Sequence, residues 1–131
     1  MKIQPKRWRR RQQSLERAYW HVREVMMHLG RPVRDVLVPT WLPEDCPMVA
    51  ESIALNNSTL GQCEMSTNHI WVRAHFVSEV MEDTLYHECV HANQPIRDES
   101  HIPYWDRPIE IEAREIASIS MKLRRLPRSE W

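Results

Sequence analysis

The residues that invite a chemical reading are His87, Glu88 and His91, in the run TLYHECVHANQ over positions 84–94. On a helix, positions four apart stack one turn apart on one face, so His87 and His91 can offer two imidazole nitrogens to one metal ion. Glu88 is turned by roughly 100° from His87 and reaches beside that ion rather than onto it. This is the division of labour of H-E-x-x-H, two ligands and one general base. Seven histidines among 131 residues allow a chance pair, but the flanks argue against one. Val80 and Thr84 share the histidine face, with Val90 at its border, while Met81, Leu85, Cys89 and Ala92 form the opposite face, Tyr86 lying between. A helix apolar nearly all round is buried, and buried imidazoles need partners.

Catalytic zinc takes three protein ligands and keeps a fourth position open. The run PIEIEAREIASISMKLRR, 108–125, supplies three glutamates. On a helical wheel Ile109, Ala113, Ile116, Ile119 and Leu123 share an apolar face with Ser120, and Glu112 falls inside it. A carboxylate in an apolar stripe is costly unless it is paired or coordinates a metal. Glu112 is therefore the expected third ligand, with a buried ion pair or a protonated acid as its other readings. Glu110 lies on the polar side, spaced to pair with Arg114 at i+4, and Glu115 sits at the edge near Lys122; both read as solvated charges. His101, ten residues after His91, is the rival ligand. Hydrolysis also needs a donor for an oxyanion, for which Tyr104 or His101 in the intervening loop is placed. Asp83 lies on the side of the helix where an acceptor for a histidine's second nitrogen would stand. His21, His28, His69 and His75 have no motif around them and read as surface or packed residues.

The elements that must position these residues follow from pattern and punctuation. Ser14 is a good N-cap for a first helix in which Leu15, Ala18, Tyr19, Val22, Met26 and Leu29 recur at helical spacing, and Gly30 with Pro32 stops it. RDVLV at 34–38, between Pro32 and Pro39, suits a strand. MVAESIALNN, 48–57, fits a strand or a short helix, and periodicity does not separate them. TLGQCEM at 59–65 and HIWVRA at 69–74 read as two strands around the turn STN. Ser78 caps the HECVH helix, which Pro95 ends near Asn93. Pro108 suits the first turn of a last helix, and Pro127 closes it.

Composition bounds the rest. An apolar content of 42% and a charged content of 27% are globular rather than disordered, and 131 residues fit one domain. Net charge is zero, so no global field argues for nucleic acid or membrane. Locally, residues 1–24 hold eight Lys or Arg against two acids. We therefore expect a basic arm over 1–13 and one domain over 14–131, with KRWRRRQQ able to meet phosphates and Trp8 able to stack on a base; nucleic acid is one expected partner. Cys46, Cys63 and Cys89, odd in number and without CxxC spacing, read as reduced, buried small hydrophobes. No apolar segment follows the positive N-terminus and no apolar run approaches a membrane span, which makes the cytoplasm the expected location.

Taken together, HECVH followed by a helix reading EAREIA resembles the glutamate zincins, whose third zinc ligand is a glutamate on a later helix. The compact layout is similar to the minimal zincins of ImmA/IrrE type, in which a Glu-x-Glu-Ala stretch follows HExxH; here it is Glu110, Ile111, Glu112 and Ala113. TLGQC and HIWVR ahead of the motif also resemble SprT-like proteases, which use a third histidine, so this chain departs from them unless His101 serves. The resemblance spans roughly residues 59–120. It implies a small α+β, zincin-like domain: a few-stranded sheet against an N-terminal helix, the HExxH helix and a C-terminal helix carrying a glutamate ligand. The implied activity is a zinc metallopeptidase acting on protein or peptide, with Zn2+ on His87, His91 and Glu112 and with Glu88 as base. The expectation from another class is a metal-stabilised regulatory or interaction module without turnover.

Overall fold

The computed structural model describes residues 6–43, 46–56, 58–73 and 78–131, and residues 6–8 and 78–81 by their backbone alone. The stacking expected of Trp8, the face expected of Val80 and Met81, and His75 lie outside the described residues. Among those residues the architecture is α+β, with four α-helices and a three-stranded mixed sheet. No described helix is long and apolar enough to cross a membrane.

Helix α1 runs Lys6–His28. Leu15, Ala18, Tyr19, Val22, Val25 and Met26 are all buried, the spacing that puts one stripe of a helix into a core. The helix starts eight residues before Ser14, whose hydroxyl accepts from Arg17 (3.4 Å) inside the helix. Much of the expected basic arm is thus ordinary helix, with Arg9 and Arg10 exposed. Gln12 explains why this segment is ordered: its amide donates to Pro39 O (2.9 Å) and accepts from Trp41 N (2.8 Å), tying α1 to the sheet. The C-terminus closes as expected. Gly30 takes φ +69, Gly30 N donates to Met27 O and Arg31 N to Met26 O (3.1 and 2.8 Å), the paired bonds of a Schellman cap. Leu29 falls outside the helix and is exposed.

The segment 34–38 is not a strand. Its polar groups are met by side chains instead of a ladder: Leu37 N donates to Tyr19 Oη (3.1 Å), and Asn68 Nδ2 donates to Leu37 O (2.6 Å). Arg34 turns inward, its Nε donating to Ala92 O (2.8 Å) and its other nitrogens to Met65 O and Asn68 Oδ1. Only β1, Thr40–Trp41, pairs, parallel to β3. The ambiguous stretch is helix α2, Pro47–Leu55. β2, Gly61–Glu64, and β3, His69–Val72, form the expected antiparallel pair, so the order is β1-β3-β2 with β2 at an edge. Their turn closes on Asn68 at φ 55, a left-handed position that asparagine tolerates.

Helix α3, Ser78–Asn93, carries HECVH and packs between α1, α4 and the sheet. Leu85, Tyr86, Cys89, Val90 and Ala92 join Ile70, Val72 and the α1 stripe in one core. After a 3-10 turn at Tyr104–Asp106, helix α4 runs Pro108–Leu123, and a last 3-10 turn covers Arg128–Glu130. The α4 face that enters the core is Glu110, Ala113, Ile116, Ala117 and Ser120. It is rotated from the wheel of its larger apolar residues. Small side chains at 113, 117 and 120 let the α4 backbone come close to its neighbours; Ser120 O lies 2.8 Å from His21 Nε2 on α1. Ile111 stays exposed while Ile109 and Ile119 are half-buried. The three cysteines are free as expected, but only Cys89 is buried.

Candidate metal centre

His87 and His91 lie one turn apart on α3 with ring centroids 4.9 Å apart and planes at 82°. The first turn of α4 delivers the carboxylate that meets them. Pro108 starts that turn, and buried Glu99 fixes it by accepting from Ile109 N (3.0 Å). Glu110 then projects onto the histidines, its Oε1 standing 3.1 Å from His87 Nε2 and 3.1 Å from His91 Nε2. His91, Glu110 and Glu88 are all buried.

The carboxylate that stands beside the two histidines is Glu110, not the expected Glu112. Glu112 faces the opposite way: its Oε2 accepts from Arg31 Nη1 (3.0 Å) and its Oε1 from Gln94 Nε2 (2.9 Å). The rotation of α4 described above is the cause, because the face that buries Ala113 and Ala117 also buries Glu110. Arg114 does not pair with Glu110; it stacks on Trp105 and donates to Trp105 O (3.2 Å). Glu115 is a solvated charge, as expected, and takes the other end of Arg31. His101 is exposed and joins neither the cluster nor the cleft. Asp83 lines the cleft but is exposed, and the acceptor beside a histidine's second nitrogen is Gln94, whose Oε1 is 2.7 Å from His91 Nδ1.

Sequence patterning could have found Glu110. It sits three residues before Ala113 and seven before Ala117, in the stripe of small residues rather than in the stripe of large ones. Gln94 has no comparable signal.

The donor set suits a divalent cation. Among the described residues, His87, His91 and Glu110 form a group whose ligand atoms lie within 4.8 Å of one another. A tetrahedron drawn at zinc–nitrogen and zinc–oxygen lengths of ~2.0–2.1 Å has an edge of about 3.3 Å, against the two 3.1 Å separations on Glu110. Two imidazoles and a carboxylate around one point are also the ligand types that zinc and its neighbours in the first transition row accept.

The electrostatics show what the cluster does with protons in place of a metal. Burial works against an ionised Glu110, but the hydrogen bonds and charge of His87 and His91 outweigh it and hold its carboxyl well below the usual range. Burial works against a charged His91 too, yet its bond to Glu110, the charges of Glu88 and Glu110 and its bond to Gln94 raise its proton affinity. Burial pushes Glu88 up, with His91 and His87 opposing and Glu110 adding to the rise. Tyr104 is pushed up to about 12, first by burial and then by the charge of Glu110 and a hydrogen bond to it. Glu110 is thereby left ionised between two imidazoles, a place where a cation competes with the proton on His91.

The cluster opens onto a cleft of about 1070 Å³ bounded by α2, β2, α3, the Tyr104 turn and α4. Leu55 and Trp105 stand exposed at its walls, Glu88 and Tyr104 face it beside the histidines, and Gly61 and Cys63 bring in the edge strand. Burial raises the Cys63 and Cys89 thiols far above their ordinary range, which argues against thiolate chemistry here. Compared with family models, with curated proteins and with solved structures, the chain has no match.

Proposed function

We propose that the chain is a zinc-dependent peptidase whose ion is held by His87, His91 and Glu110. The observation that carries the reading is the meeting of two helix-borne imidazoles and one carboxylate oxygen beside buried Glu88 on the wall of an open cleft. A buried core has no use for that cleft, and a purely structural zinc site closes with a fourth protein ligand, which the group among the described residues lacks. When bound, the ion supplies a Lewis acid that polarises a carbonyl and makes water acidic near neutral pH.

The chain's own residues do the remaining work. Glu88 accepts the proton that attacking water gives up and returns it to the leaving amine. Its burial, which raises its affinity for a proton, suits a base that must hold one between the two steps. Tyr104 keeps its hydroxyl proton, since its pKa stands at about 12, and donates it in a hydrogen bond to the developing oxyanion. The reading extends the resemblance to glutamate zincins, with the third ligand at Glu110 in place of Glu112.

Glu88→Gln tests it. The variant should take up zinc as the parent does, while cleavage of a mixed-sequence fluorogenic peptide library falls by at least about 10²-fold, the scale of a lost general base. A second reading, a metal-stapled module without turnover, draws on the way Glu110 and the histidines join α3 to α4. It predicts zinc uptake with no cleavage by the parent protein.

A further inference from the structure

We infer that Gln94 is a positioning residue that fixes which nitrogen of His91 faces the metal centre, and that Glu112 and Arg31 hold Gln94 to that task. The inference rests on the metal-centre reading but concerns residues outside the ligand set. Gln94 is fully buried at the end of α3. Its Nε2 stands 2.9 Å from Ile109 O and 2.9 Å from Glu112 Oε1. Both of these oxygens accept, so the amide nitrogen must be the atom that faces them. The amide oxygen is then left facing His91 Nδ1 at 2.7 Å. An amide oxygen only accepts, so Nδ1 must carry the proton. When a metal displaces the proton that Nε2 shares with Glu110, His91 therefore keeps its Nδ1 proton and offers Nε2, the form that binds a metal.

The outer end of the relay is an ion pair. Glu112 Oε2 accepts from Arg31 Nη1 at 3.0 Å, and Glu115 holds the other nitrogen of the same guanidinium at 2.6 Å. Arg31 is in turn fixed by the cap that ends α1. This accounts for a carboxylate in the wide apolar stripe of α4: Glu112 orients the amide that orients the ligand. Arg31 and Glu115 are partly exposed, so the relay runs from the surface to the buried histidine.

The test uses the full chain labelled with 15N-histidine, metal-free and zinc-loaded, alongside zinc affinity measured by competition with a chromophoric chelator. The parent should show a His91 Nδ1–H protected from exchange in both states. Gln94→Met, similar in length and unable to accept, should lose that signal and bind zinc about 10- to 100-fold more weakly, the range for a lost partner of a metal-bound histidine. Gln94→Glu keeps an acceptor under Nδ1 and should retain the protected proton. Glu112→Ala should leave the protein folded, broaden the Nδ1–H signal and weaken zinc by less than Gln94→Met does. A bare Nδ1 in the parent, or folded Gln94→Met with unchanged zinc affinity, overturns the inference. If the parent binds no zinc, the metal-centre reading fails, while the Nδ1–H signal of the metal-free protein still decides what Gln94 does.

Discussion

Glu110 and Glu112 lie two positions apart on one helix and meet different partners, two histidines for the first, an arginine and an amide for the second. Truncating either acid leaves a different set of partners unmet, so the two should fail differently. Glu110→Ala strips the shared acceptor from both imidazoles, whereas Glu112→Ala removes one of two acceptors of Gln94 Nε2 and leaves Arg31 paired with Glu115. Tyr104 makes its own prediction at this scale. Tyr104→Phe should leave zinc uptake unchanged and lower kcat on the peptide library by about 10²-fold with little change in KM, the pattern of a bond made only in the transition state. An unchanged kcat would remove Tyr104 from the mechanism. Legibility at this scale was uneven. The shared face of His87 and His91 was readable because the i, i+4 rule is local, whereas the approach of Glu110 was not, because the rotation of α4 is settled by how closely it packs on other helices.

At the scale of elements, the edge strand and the motif helix are joined at Gly61. A Cβ there would meet Thr84 Cγ2 at 2.6 Å and Trp71 O at 2.9 Å. Gly61→Ala should therefore push β2 off α3 and cost about 1–3 kcal/mol, read as a lower urea midpoint. Adding Thr84→Ala should recover part of that loss, because the Trp71 carbonyl still crowds the new methyl group; full additivity of the two changes would contradict the contact. Most elements were legible from sequence: α3 between Ser78 and Pro95, the hairpin around its turn, and α4 from Pro108. The exceptions share a cause. The segment 34–38 has the composition of a strand, but the Tyr19 hydroxyl and the Asn68 amide, both tertiary partners, take up the backbone groups of Leu37. Likewise α1 extends past Ser14 because Gln12 finds the backbone around Pro39 and Trp41.

For the molecule as a whole, the centre joins residues 19 and 23 positions apart on two helices, so an ion there should stabilise the fold and not merely occupy a surface. Zinc at a thousand times its dissociation constant should add about 4 kcal/mol, enough to raise the thermal midpoint by more than about 10 °C in a domain of this size, and a chelator should reverse the gain. The same rise in Glu110→Ala would place the ion elsewhere. The central claim, that His87, His91 and Glu110 hold a metal, is tested most directly by elemental analysis of the zinc-loaded, buffer-exchanged parent beside Glu110→Ala and Glu112→Ala. The account predicts one zinc per chain in the parent, none in Glu110→Ala, and close to one in Glu112→Ala. A metal-free parent, or zinc kept by Glu110→Ala and lost by Glu112→Ala, would contradict it.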